Sequence, residues 1–132
     1  MQDFRQLRVW HLAKLFPAEL TRALTPRACR ALPGFRSQIL RAALSISANI
    51  AEGCGKRSRD EFRRYLETSL GSLLEVESDL EVAVSAAVVR SETHANLTLK
   101  TKMLRRMLIS LIGAVDAEIA NPDARARHRS GT

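Results

Sequence analysis

Between Phe35 and Ile50 the apolar residues fall at Phe35, Ile39, Ala42, Ala43, Ile46 and Ile50. This i, i+4, i+7, i+8, i+11, i+15 spacing is one face of an α-helix, not the two-residue alternation of a strand. The helical period recurs on both sides of it. From about Phe4 to Leu24, the residues Leu7, Trp10, His11, Lys14, Leu15, Ala18 and Thr21 or Arg22 fall near one side, with Phe4 one turn ahead. Pro17 interrupts that stretch, and its missing N–H predicts a kink near Ala13–Phe16 or two shorter helices. Thr25-Pro26 and Leu32-Pro33-Gly34 then bracket an irregular connection. The second helix is expected from about Phe35 to Ala51, stopped by Gly53 and Gly55.

Ser58-Arg59-Asp60-Glu61 has the pattern of a capping box opening a third helix. Its stripe is Phe62, Tyr65, Leu66, Ser69, Leu73, Val76, Leu80, Ala83, Val84 and Ala87, which carries it to near Val89. Ser91 or Thr93 caps a fourth, with Leu97, Leu104, Leu108, Leu111, Ile112, Val115 and Ile119 on one side, and Asn121-Pro122 ends it. Aromatics are only 5% of the chain, so the core must be aliphatic. Four amphipathic helices with short connections and no credible strand predict an all-α, antiparallel up-down four-helix bundle. One domain is expected over residues 1–120, followed by a basic, disordered tail over 121–132.

The formal net charge of +7 favours polyanions or acidic partners. Two cysteines, Cys29 and Cys54, are too few for a disulfide framework or a four-cysteine zinc site. The opening MQDFRQLRVW lacks a signal-peptide pattern, and no apolar run approaches the ~20 residues that span a bilayer. A cytoplasmic protein with reduced thiols and no membrane contact is therefore expected.

Trp10 in the first helix, the run Ser37, Gln38, Arg41, Ala42, Ala43, Ser45, Ile46, Asn49, Ile50, Ala51, Glu52, Gly53, then Glu61-Phe62 and Gly71-Ser72-Leu73 with Glu75, form one pattern. It resembles the bacterial four-helix-bundle family encoded in intervening sequences of 23S rRNA genes. More distantly, it is similar to the accessory variability proteins of diversity-generating retroelements. The resemblance implies a homopentameric ring of four-helix bundles and a link to RNA, and no catalytic site. Pro17 and the entry Leu32-Pro33-Gly34-Phe35 depart from the family pattern.

Two constellations stand out. Gln38, Arg41, Ser45, Asn49 and Glu52 form a polar stripe beside the apolar face of the second helix. They read as a structural hydrogen-bond network fixing helix register or joining subunits, or else as a ligand contact. Glu52 opposes the helix dipole at a C-terminus, so Arg41 or an arginine of the third helix is expected to compensate it. The second constellation is Lys56, Arg57, Arg59, Arg63 and Arg64 at the start of the third helix, with Lys102, Arg105 and Arg106 on the fourth. Cations beside exposed helix N–H groups suit phosphate, and without interleaved aromatics the contact expected is to the nucleic-acid backbone. The alternative is an ordinary solvated face.

Gly53-Cys54-Gly55-Lys56 follows a helix and lacks phosphate-loop spacing. No Glu-x-x-His pair for a metal occurs, and no Ser or Cys has the setting of an activated nucleophile. The residues thus predict no catalytic site, no metal and no cofactor. They predict an oligomeric, RNA- or nucleic-acid-binding scaffold, with Leu40, Leu44, Leu74 and Ile109 left off the stripes for an interface. The alternatives are an accessory subunit docking a reverse transcriptase, and a purely structural oligomer whose charge serves solubility.

Overall fold

The computed structural model describes residues 1–123. A 3-10 turn, Phe4–Gln6, precedes four helices: α1, Arg8–Ala23; α2, Phe35–Cys54; α3, Arg59–Ser85; and α4, Ser91–Ala120. There is no strand among the described residues. The remainder of the expected basic tail, 124–132 with His128, lies outside the described residues.

The side-chain bonds fix the directions of the helices. Ser45 of α2 meets Ser72 of α3, and Glu52 meets Tyr65, so these two run antiparallel. Arg59 with Glu118 and Glu81 with His94 make α3 and α4 antiparallel as well. Each helix packs on two neighbours, with α2–α3 the most extensive contact and α1–α4 the slightest. The result is a four-helix bundle closed by α4 against α1.

All six positions of the α2 stripe are buried, and Leu66, Leu73, Val76, Leu80 and Ala83 face them from α3. Leu97, Leu104, Leu108, Ile112 and Val115 complete the wall from α4. Two polar side chains enter this core with their bonds satisfied locally. Ser69 donates to the Ile46 carbonyl at 2.8 Å, and Thr101 to that of Thr98 at 2.8 Å.

In α1 the structure corrects the sequence reading twice. The buried face is Val9, Ala13, Phe16 and Leu20, continued by Leu24, while His11, Lys14, Leu15, Ala18, Thr21 and Arg22 are exposed. Val9 to Leu24 repeats the spacing seen in α2. Leu7 and Trp10 are half-buried against the edge of the core, as the sequence suggests, Trp10 lying 4.7 Å from the Phe4 ring. Pro17 does not divide the helix, which runs through it from Arg8 to Ala23. Residues on both sides of Pro17 are locked into the core, and this offsets the one helical bond it cannot donate.

The ends of the other helices differ in detail from expectation. Ser58 caps α3 by accepting from the Glu61 N–H at 3.1 Å, and its hydroxyl donates to the Glu61 carboxylate at 3.2 Å. Neither Ser91 nor Thr93 caps α4; Arg90 occupies the N-cap without a side-chain bond. Gly53 is not a stop, because α2 continues to Cys54 and Gly55 ends it with a right-handed backbone. The reason for glycine at 53 is proximity: a Cβ there would lie 2.7 Å from the Tyr65 Cβ. At the other end α3 stops at Ser85, four residues before the expected Val89. Ala87 adopts φ 57°, while Val88 N–H donates to the Ala83 carbonyl and Ala87 N–H to that of Val84. This is a Schellman closure with alanine where glycine is favoured.

Opposite outcomes are therefore expected at two sites. Gly53→Ala forces α2 off α3 and should cost about 1–3 kcal/mol in urea unfolding. Ala87→Gly relieves a left-handed alanine and should add about 0.5–1 kcal/mol in the same measurement.

Candidate nucleic-acid interface

The basic cluster at the start of α3 divides into bound and free members. Arg63 forms an ion pair with Asp116 through Nε, and its NH1 donates to Glu67 at 2.7 Å. Both carboxylates raise its pKa, holding the guanidinium firmly protonated. Arg59 Nε meets Glu118 at 2.7 Å, NH1 reaches the Gln2 side chain at 3.4 Å, and the guanidinium lies 4.9 Å from the Phe62 ring. Lys56 lies half-buried with its ammonium 5.2 Å from the Tyr65 ring. Arg57 and Arg64 are exposed and have no acidic partner among the described residues.

Arginines in the first turns of α3 and acids in the last turns of α4 each oppose their own helix dipole. Antiparallel packing brings the two misplaced sets together, and each neutralises the other. Asp116 and Glu118 carry no motif of their own in the sequence. The signal was a basic helix start and an acidic helix end that an antiparallel bundle must juxtapose.

On α4 the second basic set divides in the same way. Arg105 Nε stands 3.6 Å from Glu77 Oε1, an ion pair beyond hydrogen-bond distance. Lys102 and Arg106 are exposed, without acidic partners among the described residues, and one turn apart on the same face. Arg106 is ten residues from Asp116, about 15 Å along the helix, so the two basic sets do not form one patch.

The polar stripe of α2 is not one network. Ser45 Oγ lies 2.6 Å from Ser72 Oγ and donates to the Ala42 carbonyl at 2.8 Å, while Asn49 Nδ2 donates to the Ser45 carbonyl at 2.8 Å. Glu52 accepts from the Tyr65 hydroxyl at 3.3 Å. Among the described residues no cation pairs with Glu52; the phenol takes the place expected of Arg41 or an α3 arginine. Arg41 reaches only Ser37, at 3.4 Å, and Gln38 is exposed with no side-chain bond. Ser45 and Glu52 thus tie α2 to α3, whereas Gln38 and Arg41 face outwards. Beside this seam, Asn49, Ser58, Glu61, Arg64, Tyr65 and Thr68 line a polar surface groove of about 540 Å³.

Neither thiol suits chemistry. Cys54 is buried, and desolvation pushes its pKa up to about 11 despite the opposing charge of Arg59. Burial raises that of Cys29 too, against Arg36. Such thiols stay protonated and are poor nucleophiles. Among the described residues, no group of three His, Cys, Asp or Glu side chains could hold a metal, and no helix is long and apolar enough to cross a membrane.

Asp79 is the one buried carboxylate of α3, with Oδ2 lacking any hydrogen-bond partner. Desolvation, reinforced by the charge of Glu75, raises its pKa. A folded-state pKa above the unfolded value means that Asp79 favours folding most below the ordinary carboxylate range. That contribution is lost as pH rises through the folded pKa. Asp79→Asn should therefore raise the Tm at neutral pH by about 3–5 °C, roughly 1 kcal/mol, with the gain shrinking towards pH 4. Thermal melts across pH measure both.

A family model described as 23S rRNA-intervening sequence protein matches residues 5–110. A crystal structure of a protein of unknown function from the S23 ribosomal protein family of Bacteroides thetaiotaomicron VPI-5482 superposes with a TM-score of 0.70 at 24% identity. The alignment covers 79% of this chain and 97% of that one, and shows a shared fold. No curated protein matches the chain.

Proposed function

The chain belongs to the 23S rRNA-intervening sequence protein family, and from that premise we propose that it is a non-catalytic, oligomeric RNA-binding scaffold of the cytoplasm. The observation carrying this reading is the residue of cations left after internal pairing. Arg57, Arg64, Lys102 and Arg106 are exposed and have no acidic partner among the described residues, in a chain of net charge +7. Unpaired surface guanidinium and ammonium groups neutralise phosphates and release counterions without reading sequence. Arg59, Arg63 and Arg105 hold the bundle together and contribute little to RNA, being neutralised already.

Self-association, with a homopentameric ring as the specific assembly, has its own support. Leu74 and Ile109 are about half exposed on α3 and α4, and among the described residues nothing beyond the local helix backbone lies within 4 Å of a Cβ placed at Gly71 or Gly113. Mid-helix glycine costs about 1 kcal/mol relative to alanine, a cost offset when another helix packs closely against it. In a ring, each exposed cation repeats in every subunit and multiplies weak contacts.

Fluorescence anisotropy with a labelled structured RNA tests the reading. Log affinity should fall linearly with log salt, and replacing Arg57, Arg64, Lys102 and Arg106 by Gln should lower the slope by about 0.7–0.9 per cation lost. Absence of binding at low salt overturns it. Arg63→Gln should instead lower stability and leave the slope nearly unchanged.

A further inference from the structure

From Glu19 to Glu52 the chain has no acidic residue between those two, yet it carries Arg22, Arg27, Arg30, Arg36 and Arg41. None of these five arginines forms an ion pair among the described residues, and all but Arg36 are exposed. They lie on the end of α1, the connection after it and the first turns of α2. There the surface is concave: a groove of about 600 Å³ has Leu32, Leu40 and Leu44 on its walls and Arg30, Arg36 and Arg41 around it, with no acidic side chain in its lining. Arg36 is held in place by donating from Nε to the Leu24 carbonyl at 2.6 Å, and Leu44 is 58% exposed.

Apolar walls combined with several unneutralised guanidinium groups suit a ligand that has a flat apolar face and adjacent negative charge. A nucleotide of a single strand has both. Its base can lie against leucine side chains or a guanidinium plane, and its phosphates can take the forks of neighbouring arginines. A duplex offers the phosphates but keeps its bases stacked. The volume lies within the range of sites that hold a small ligand moiety.

We propose that the α1–α2 groove holds an unpaired nucleotide of single-stranded RNA, its base against Leu40 and Leu44 and its phosphates on Arg30 and Arg41. This rests on the RNA-binding reading and adds to it a preference for unpaired RNA, set by a surface distinct from the α3 and α4 cations. The test uses the full chain, a labelled single strand of about 12 nucleotides without internal pairing, and a duplex of the same length. Leu44→Gln removes an exposed apolar contact without changing charge. It should weaken the single strand about tenfold and leave the duplex within about twofold, since losing the partial burial of one leucine side chain is of that order. Arg30→Gln with Arg41→Gln should lower the salt slope for the single strand by about 0.7 per cation. Binding of both RNAs that Leu44→Gln leaves untouched overturns the groove and spares the RNA-binding reading. Equal loss on both RNAs overturns it too, as does a changed oligomeric state of the Leu44 variant, which would mark the groove as covered by a second copy. If the unaltered protein binds neither RNA, both readings fall.

Discussion

The close approach of α2 and α3 at Gly53 sets the geometry on which the rest of the bundle depends. A hydrogen atom in place of a side chain lets the Phe62 and Tyr65 side chains lie against the α2 backbone. With the helices this near, the Ser69 hydroxyl reaches the Ile46 carbonyl, Ser45 meets Ser72, and the Tyr65 phenol reaches Glu52. Each of these bonds has the right length only in one register. These polar side chains therefore select the alignment, while the apolar stripes supply most of the driving force.

That alignment also decides the electrostatics. Once α3 is fixed against α2 and α4 folds back along α3, Arg59 and Arg63 arrive at Glu118 and Asp116. Residues placed against their helix dipoles become partners across an interface. Cations of the same type one or two positions away, Arg57 and Arg64, point to solvent. A formal charge of +7 thus does not spread evenly. It concentrates on cations at the turn into α3, on the outer face of α4, and over the acid-free connection between α1 and α2.

Two carboxylate oxygens on α3 lack a hydrogen bond among the described residues: Glu77 Oε1, which has the Arg105 cation at 3.6 Å, and Asp79 Oδ2, which has none. Ser69 and Thr101 enter the core with bonds made, whereas one oxygen of Asp79 has no partner among the described residues, and burial beside the charge of Glu75 raises its proton affinity. Of the buried polar side chains, Ser69 ties α3 to α2, Thr101 bonds within α4, and Asp79 costs stability.

The α2 stripe, the Ser58 cap and the long apolar series of α3 and α4 were legible in the chain, because helical periodicity and capping are properties of neighbouring residues. α1 is ambiguous for the same local reason. Leu7, Trp10 and Leu15 suggest one face and Val9, Ala13, Phe16 and Leu20 another, and only the space between α2 and α4 chooses the second. Sequence alone determined that the protein would be four amphipathic helices with a surplus of arginine; the expected purely aliphatic core is corrected by Phe16, Phe35 and Phe62, which are all buried in it. The tertiary structure decided which arginines are neutralised, that Gly53 serves contact rather than termination, and that Glu52 is met by a phenol rather than a cation. Those outcomes depend on distances between residues far apart in the chain, and such distances exist only after the helices have packed.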